Sequence, residues 1–267
     1  MSKNLHALII DPQVDFCDPN GALSVAGALD AMNRVADLVG RLQKKIRDIH
    51  ITLDSHHPIH VAHPIYWRDN DGKHPAPFTI ITSQDLKDNR WFPTRLSWAT
   101  RAFEYVKALE DNKRYPLCIW PPHCLIGSAG HAVVPKLFDA VTKWENEQFG
   151  MVNYVTKGSN LHTEHYSAIQ ADVPDPKEPS TQINTDFLNM LVEADIILAT
   201  GIAGSHCLAN TLRDIVKYFN NPEFVKKIVF LEDATAPVPG FEQLQKDAVS
   251  DLVSQGMQVS TTKDFLA

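Results

Sequence analysis

Ala7-Leu8-Ile9-Ile10 runs straight into Asp11-Pro12-Gln13-Val14-Asp15-Phe16. Four consecutive apolar residues stopped by a carboxylate and a proline suit a short strand buried on both faces, since a strand with one wet face would alternate. The same design recurs downstream. Asp48-Ile49-His50-Ile51-Thr52-Leu53 stops at Asp54, Tyr154-Val155-Thr156 at Lys157, and Ile196-Ile197-Leu198-Ala199-Thr200 at Gly201. Ile228-Val229-Phe230-Leu231 stops at Glu232-Asp233, and Met257-Gln258-Val259-Ser260 closes the set. The intervening stretches carry apolar residues at helical spacing: Val35, Leu38, Val39 and Leu42 within Ala28 to Lys45, Phe187, Leu188 and Leu191 within Asp186 to Glu193. Leu208, Leu212, Ile215 and Val216 do so within Cys207 to Phe219, and Leu244, Ala248 and Leu252 within Phe241 to Gln255. Strands alternating with helices predict an α/β fold, a three-layer α/β/α sandwich around a doubly wound parallel sheet.

One region breaks the rhythm. Residues 57–119 are proline-punctuated and rich in aromatics (Tyr66, Trp67, Phe78, Trp91, Phe92, Trp98, Phe103, Tyr105). Such apolar content excludes a disordered linker. The reading is one domain over residues 1–267, with an insertion at about 57–119 that holds a short helix near Ser97 to Glu110 and serves as a cap on the site or as a subunit contact. The formal net charge of −7 and a pI near 5.9 argue against a nucleic-acid or anionic-membrane partner. Neither a signal-like start nor an apolar run of the roughly 18 residues a bilayer requires is present, so a cytoplasmic protein is expected. Four scattered cysteines then read as free thiols.

In an open parallel sheet, ligands bind beyond the carboxyl ends of the strands. Asp11, Asp54, Lys157 and the turn from Gly201 to Cys207 all fall there. An Asp after a strand is usually a turn or cap residue, and a lone Cys in a helix is usually a small apolar filler. Four such groups on one edge shift the balance toward a site. Gly201-Ile202-Ala203-Gly204-Ser205-His206 is turn-like and leads into a helix, which puts Cys207 at a helix N-terminus. The helix dipole and Lys157 are expected to lower its pKa toward thiolate, with Asp11 as the group that carries the proton.

Asp11-Pro12-Gln13-Val14-Asp15-Phe16, Thr156-Lys157-Gly158 with Glu164-His165-Tyr166-Ser167, Gly201-Ile202-Ala203 with Cys207, and Asp233-Ala234-Thr235 stand in the order seen in isochorismatase-like cysteine hydrolases. As a set they resemble that superfamily, and its nicotinamidase/pyrazinamidase-like members most. The resemblance implies a Rossmann-like sandwich and a catalytic triad at Asp11, Lys157 and Cys207. It also implies a cis peptide between Ile202 and Ala203, with the N–H groups of Ala203 and Cys207 as oxyanion donors. The expected activity is hydrolysis of an amide such as nicotinamide, to acid and ammonia, through a thioester on Cys207. The alternatives are a carbamoyl or ureido amidase of the same superfamily, or a non-catalytic scaffold on the same fold. Gly204 and Ser205 stand where many nicotinamidases carry Thr and an acidic residue, Ser55 where an aromatic is common, and the insertion is longer than in compact members. These departures touch substrate choice rather than the chemistry.

The same resemblance places a divalent metal, Zn²⁺ or else Fe²⁺ or Mn²⁺, on Asp54, His56 and His123. A carboxylate with two imidazoles suits these ions. His57, His60 and His63 compete for a further ligand place. Phe16, Trp120 and Tyr166, with Leu161, are expected to wall an aromatic amide, while Cys118 and Cys124 read as structural thiols. A homo-oligomer is expected from the resemblance, with a small-molecule amide as the partner of the site.

Overall fold

The computed structural model describes residues 3–266. Its main sheet has six strands: β1 (Leu5–Ile10), β2 (Ile46–Asp54), β3 (Asn153–Lys157), β4 (Ile196–Ile202), β5 (Ile228–Ala236) and β6 (Gln258–Ser260). They lie in the order β6-β5-β4-β1-β2-β3, all parallel. The longer helices are α1 (Ala28–Leu42), α2 (Ala99–Asp111), α3 (Pro135–Gln148), α4 (Thr185–Val192), α5 (Cys207–Phe219) and α6 (Glu242–Ser254).

The order explains where a site can form. The chain steps outward from β1 to β2 to β3, then returns to the other side of β1 and steps outward again through β4, β5 and β6. Right-handed crossovers put α1 and α3 on one face and α5 and α6 on the other. Accordingly α1 packs on α3 and α5 packs on α6. The reversal between β1 and β4 opens a crevice at their carboxyl ends. Side chains along β1 are buried throughout, and all but His6 are apolar. Gly201 stands opposite Ile10 in the register of β4 on β1, with φ +125°, and a Cβ there would lie 2.2 Å from the Ile10 carbonyl oxygen. Only glycine lets the two strands approach so closely at the crevice.

The segment 57–119 folds onto the same end of the sheet. It holds two antiparallel ribbons, Trp67–Arg68 with Phe92–Pro93 and Ile80–Ile81 with Leu117–Cys118, and the helix α2. Tyr66, Trp67, Ile81 and Tyr105 are buried in it, so its aromatics form an interior of their own. The helix read near Ser97 to Glu110 is α2, shifted by two residues at its start. Sequence reading missed α3, although Pro135 at its first turn and Leu137, Val141 and Trp144 on its buried face are ordinary helix signals.

At the far end of the sheet a buried polar chain crosses β1, β2 and β3. The Asn153 amide donates to His50 Nδ1 at 3.2 Å, and His50 Nε2 meets His6 Nδ1 at 3.0 Å. His6 Nε2 lies 3.2 Å from Asp48 Oδ2. One proton per ring suffices for the two hydrogen bonds of His50, and burial keeps both imidazoles neutral. Burial, helped by the neighbouring His6, pushes His50 down to about 4, and burial also lowers His6 against the pull of Asp48. In the unfolded chain each titrates near the ordinary value of about 6.5. Below that pH the unfolded state binds more protons, so stability falls as pH drops from about 6.5 toward 4. We expect His50→Gln to flatten that acid limb by on the order of 3 kcal/mol, read from urea midpoints at stepped pH. Equal slopes for wild type and variant would remove His50 as the cause.

Candidate active site

Asp54 and Lys157 are register partners across β2 and β3, so their side chains leave the sheet edge side by side. Lys157 Nζ lies 2.8 Å from Asp11 Oδ2, 3.2 Å from Asp54 Oδ1 and 3.6 Å from Cys207 Sγ. All four groups are buried. Asp11 has φ +44°, a conformation that Asp tolerates better than most residues. Thr52 secures it: its hydroxyl donates to Asp11 Oδ1 at 2.5 Å and accepts from the Asp11 N–H at 3.0 Å. Cys207 opens α5, and the peptide between Ile202 and Ala203 is cis. Among the described residues, neither the Ala203 nor the Cys207 N–H is given to a backbone carbonyl.

The charges sort themselves by competition. Burial disfavours the Lys157 ammonium, but Asp11, Asp54 and Cys207 around it outweigh that and hold its pKa well above the ordinary lysine value. For Asp54, burial is outweighed by His56 and Lys157, which hold the carboxyl ionised. For Asp11, burial wins over Lys157 and its pKa rises. The expected fall at Cys207 is not found. Burial pushes the thiol up, Lys157 pulls it down, and Asp11 and Asp54 push it up again, so the thiol keeps its proton at rest. A helix N-terminus is worth about 0.3–2 kcal/mol, too little to offset the desolvation of a thiolate.

The crevice beside Cys207 is a cavity of about 30 Å³, lined by Phe16, Trp120, Tyr166, Ala203 and His206 among others. Phe16, Trp120 and Tyr166 are among its walls, and Leu161 is not. The Trp120 indole N–H donates to the Tyr166 hydroxyl at 3.0 Å, which locks two of the walls together.

Behind Asp54 lies a cluster of imidazoles. One ligand atom each from Asp54, His56 and His123 falls within 4.8 Å of the others, and the same holds for His56, His60 and His63. Hydrogen bonds decide which lone pairs are free. His56 Nδ1 meets the Gly158 carbonyl at 2.9 Å, His123 Nδ1 the Pro121 carbonyl at 2.8 Å and His63 Nδ1 the Pro58 carbonyl at 3.2 Å. A carbonyl only accepts, so each Nδ1 carries a proton, and for His63 this leaves the Nε2 lone pair free. His56 Nε2 and His123 Nε2 lie 3.0 and 3.4 Å from Asp54 Oδ2, and His63 Nε2 is buried without a hydrogen-bond partner. His60 differs. Its Nδ1 accepts from the Ala62 N–H, which leaves Nε2 to donate to the Thr163 carbonyl at 3.2 Å. Asp54, His56 and His123 converge in a buried space whose carboxylate and imidazole donors fit a divalent ion, and His63 adjoins it beside His56. For His56 the Asp54 carboxylate outweighs burial and raises the pKa, whereas burial lowers those of His60 and His63. Gly158, at φ +82°, lets the backbone pass close: a Cβ there would stand 2.6 Å from Asp54 Oδ1.

No protein-family model matches the sequence. A curated relative is the nicotinamidase of Saccharomyces cerevisiae, 20% identical over 255 residues, covering 94% of this chain and 97% of the relative. Among solved structures, an Acinetobacter baumanii nicotinamidase/pyrazinamidase superposes with a TM-score of 0.65 at 21% identity, covering 98% of each chain. A Pyrococcus horikoshii pyrazinamidase in complex with zinc gives a TM-score of 0.57 at 16% identity, covering 97% of this chain and 99% of that one. The chain has the nicotinamidase fold. The α/β/α sandwich read from the apolar runs is thus the fold observed, and the site described above lies at the carboxyl edge of a nicotinamidase-type sheet. Among the described residues no helix is long and apolar enough to cross a membrane.

Several supporting residues escaped the sequence reading. The Gln13 amide group accepts from the Asp54 N–H at 2.7 Å and donates to the Asp54 carbonyl at 2.7 Å and the His131 carbonyl at 3.0 Å, clamping the residue that carries the cluster's carboxylate. Asp15 Oδ2 accepts from the Cys124 N–H at 2.6 Å and so fixes the backbone beside His123. Both stand in the Asp11–Phe16 motif, which was the available signal. His206 and Glu164 line the crevice, and only their neighbours had been read as site residues. Of His57, His60 and His63, His57 is exposed, both nitrogens of His60 are engaged, and His63 is buried with Nε2 lacking a hydrogen-bond partner among the described residues. We expect His63→Ala to retain at least tenfold less zinc than wild type after equilibrium dialysis, while His60→Gln retains wild-type zinc. The reverse pattern would exchange their roles.

Proposed function

We propose that the chain is a cysteine-dependent hydrolase of primary amides, acting on an aromatic or heteroaromatic amide such as nicotinamide and releasing the acid and ammonia. The observation that supports this most is Lys157 Nζ among Asp11, Asp54 and Cys207 Sγ at 2.8, 3.2 and 3.6 Å in a buried crevice. A scaffold would have no use for such a costly arrangement. We read the whole chain as one hydrolase domain in which 57–119 is an insertion.

The chemistry follows from the groups. Asp11 takes the thiol proton as Cys207 Sγ attacks the amide carbon, and the carbonyl electrons move onto oxygen. The free N–H groups of Ala203 and Cys207 receive that oxyanion. Asp11 returns the proton to the departing nitrogen as the C–N bond breaks, and ammonia leaves a thioester on Cys207. Water then gives a proton to Asp11 and attacks the thioester, the C–S bond breaks, and the thiol recovers its proton. Lys157 stays charged throughout, lowering the energy of thiolate and carboxylate together. A divalent ion on Asp54, His56, His63 and His123 would supply Lewis acidity to a lone pair of the substrate ring or of water. Zinc suits the donor set, and it is the metal in the Pyrococcus horikoshii structure. A carbamoyl or ureido amidase would keep the triad but would have no use for the imidazole cluster.

Purified protein incubated with nicotinamide, pyrazinamide and benzamide is expected to release ammonia from at least one of them. Cys207→Ala should abolish release, and Asp11→Asn should lower kcat by about 10²–10⁴. Wild-type protein loaded with zinc and silent toward all three would sink the reading.

A further inference from the structure

Beside the catalytic crevice lies a second cavity of about 350 Å³, lined by Ile80, Tyr115, Pro116 and Cys118 from the 57–119 segment and by Gly240, Phe241, Gln243 and Leu244 from the turn into α6. The two spaces share Tyr166 and His206 as walls. Their volumes are very unequal. About 30 Å³ beside Cys207 holds roughly one or two waters, whereas small-molecule sites usually span about 300–1,000 Å³. An amide that reaches Cys207 therefore needs more room than the crevice alone provides, and the contiguous room is next door.

The partition is an aromatic one. His206 sits among Tyr115, Trp120, Tyr166 and Phe241, with ring centroids 5.2, 5.4, 5.2 and 4.9 Å away. Its one side-chain hydrogen bond among the described residues is Nδ1 to the Ser205 hydroxyl at 2.9 Å, and that hydroxyl accepts from the Val238 N–H at 3.0 Å. Burial pushes the imidazole down to about 4, so the ring between the two spaces is neutral. No Asp, Glu, Lys or Arg lines the second cavity. Its occupant is accordingly uncharged and largely apolar.

We propose that the second cavity is a substrate subsite, and that the preferred substrate is an aromatic primary amide extended by an uncharged apolar arm which passes the His206–Tyr166 partition. The inference rests on the amidase reading. It gives residues 57–119 a purpose: they supply the outer wall that sets how long an arm is accepted. Moving one methylene from water into such a lining is worth about a fourfold gain in kcat/KM, so a butyl arm gains tenfold or more even when half its burial is offset.

The test compares nicotinamide and benzamide with the regioisomers of each that bear one n-butyl group on the ring, scored by ammonia release. At least one butyl isomer is expected to exceed its parent about tenfold in kcat/KM. Ile80→Trp and Leu244→Trp fill the cavity from opposite sides without touching the catalytic crevice. Each is expected to erase the butyl advantage while the parent amide keeps its rate, which also shows that the variant folds. Hydrolysis of the parents with every butyl isomer slower, or a butyl advantage that survives both Trp variants, overturns the inference and leaves the amidase reading standing. Silence toward parents and butyl amides alike overturns the amidase reading, and the inference with it.

Discussion

A lysine ammonium with no water around it must be surrounded by negative charge, and Lys157 organises the molecule on that condition. Its partners come from two strands and a helix: Asp11 after β1, Asp54 at the end of β2 and Cys207 at the start of α5, with Lys157 itself closing β3. Removing one member of a buried ion cluster costs about 3–5 kcal/mol, so the strand ends must stay in register for the charge to be met. The parallel register that sets Asp54 beside Lys157, and the glycine that lets β4 close on β1 at Ile10, are the backbone side of the same requirement.

Asp54 joins two sites through one carboxylate. Its Oδ1 faces Lys157 at 3.2 Å, and its Oδ2 faces His56 at 3.0 Å and His123 at 3.4 Å. Positive charge on the imidazole side draws on the same carboxylate that steadies Lys157, so loading the cluster and setting the proton on the Asp11–Cys207 pair are electrostatically linked. Gln13 holds the Asp54 backbone on both its N–H and its carbonyl, which leaves that carboxylate little freedom to choose between the two sides.

Much of this is legible in the sequence. Apolar runs ending in Asp11, Asp54 and Lys157 place the strands and the site edge, because continuous burial and strand-end chemistry are local properties. What stayed hidden depends on distant carbonyls and on desolvation. The proton positions of His56, His63 and His123 are set by Gly158, Pro58 and Pro121, and no spacing rule would have paired them. The thiol of Cys207 was expected to ionise because a helix end is visible in sequence, whereas its burial is visible only in the fold. Helix α3 was missed for a plainer reason: it follows a long irregular stretch in which the strand–helix rhythm had already been lost.

The 57–119 segment belongs to the site as much as the sheet does. The Tyr115 hydroxyl donates to the Ser205 carbonyl at 3.0 Å and receives a hydrogen bond from Arg213, tying the segment to the turn that presents Cys207. The Tyr105 hydroxyl accepts from the Glu164 N–H at 3.1 Å, and Asp172, hydrogen-bonded to the Tyr166 N–H, lies 3.9 Å from Arg114. Burial pushes the Asp172 carboxyl up to about 7 despite Arg114, so that anchor is held by hydrogen bonding as much as by charge. A segment fastened in this way to both walls of the crevice cannot be a passive appendage. It ties the turn before Cys207 to the stretch that carries Glu164 and Tyr166, so the two walls of the crevice are braced by one segment.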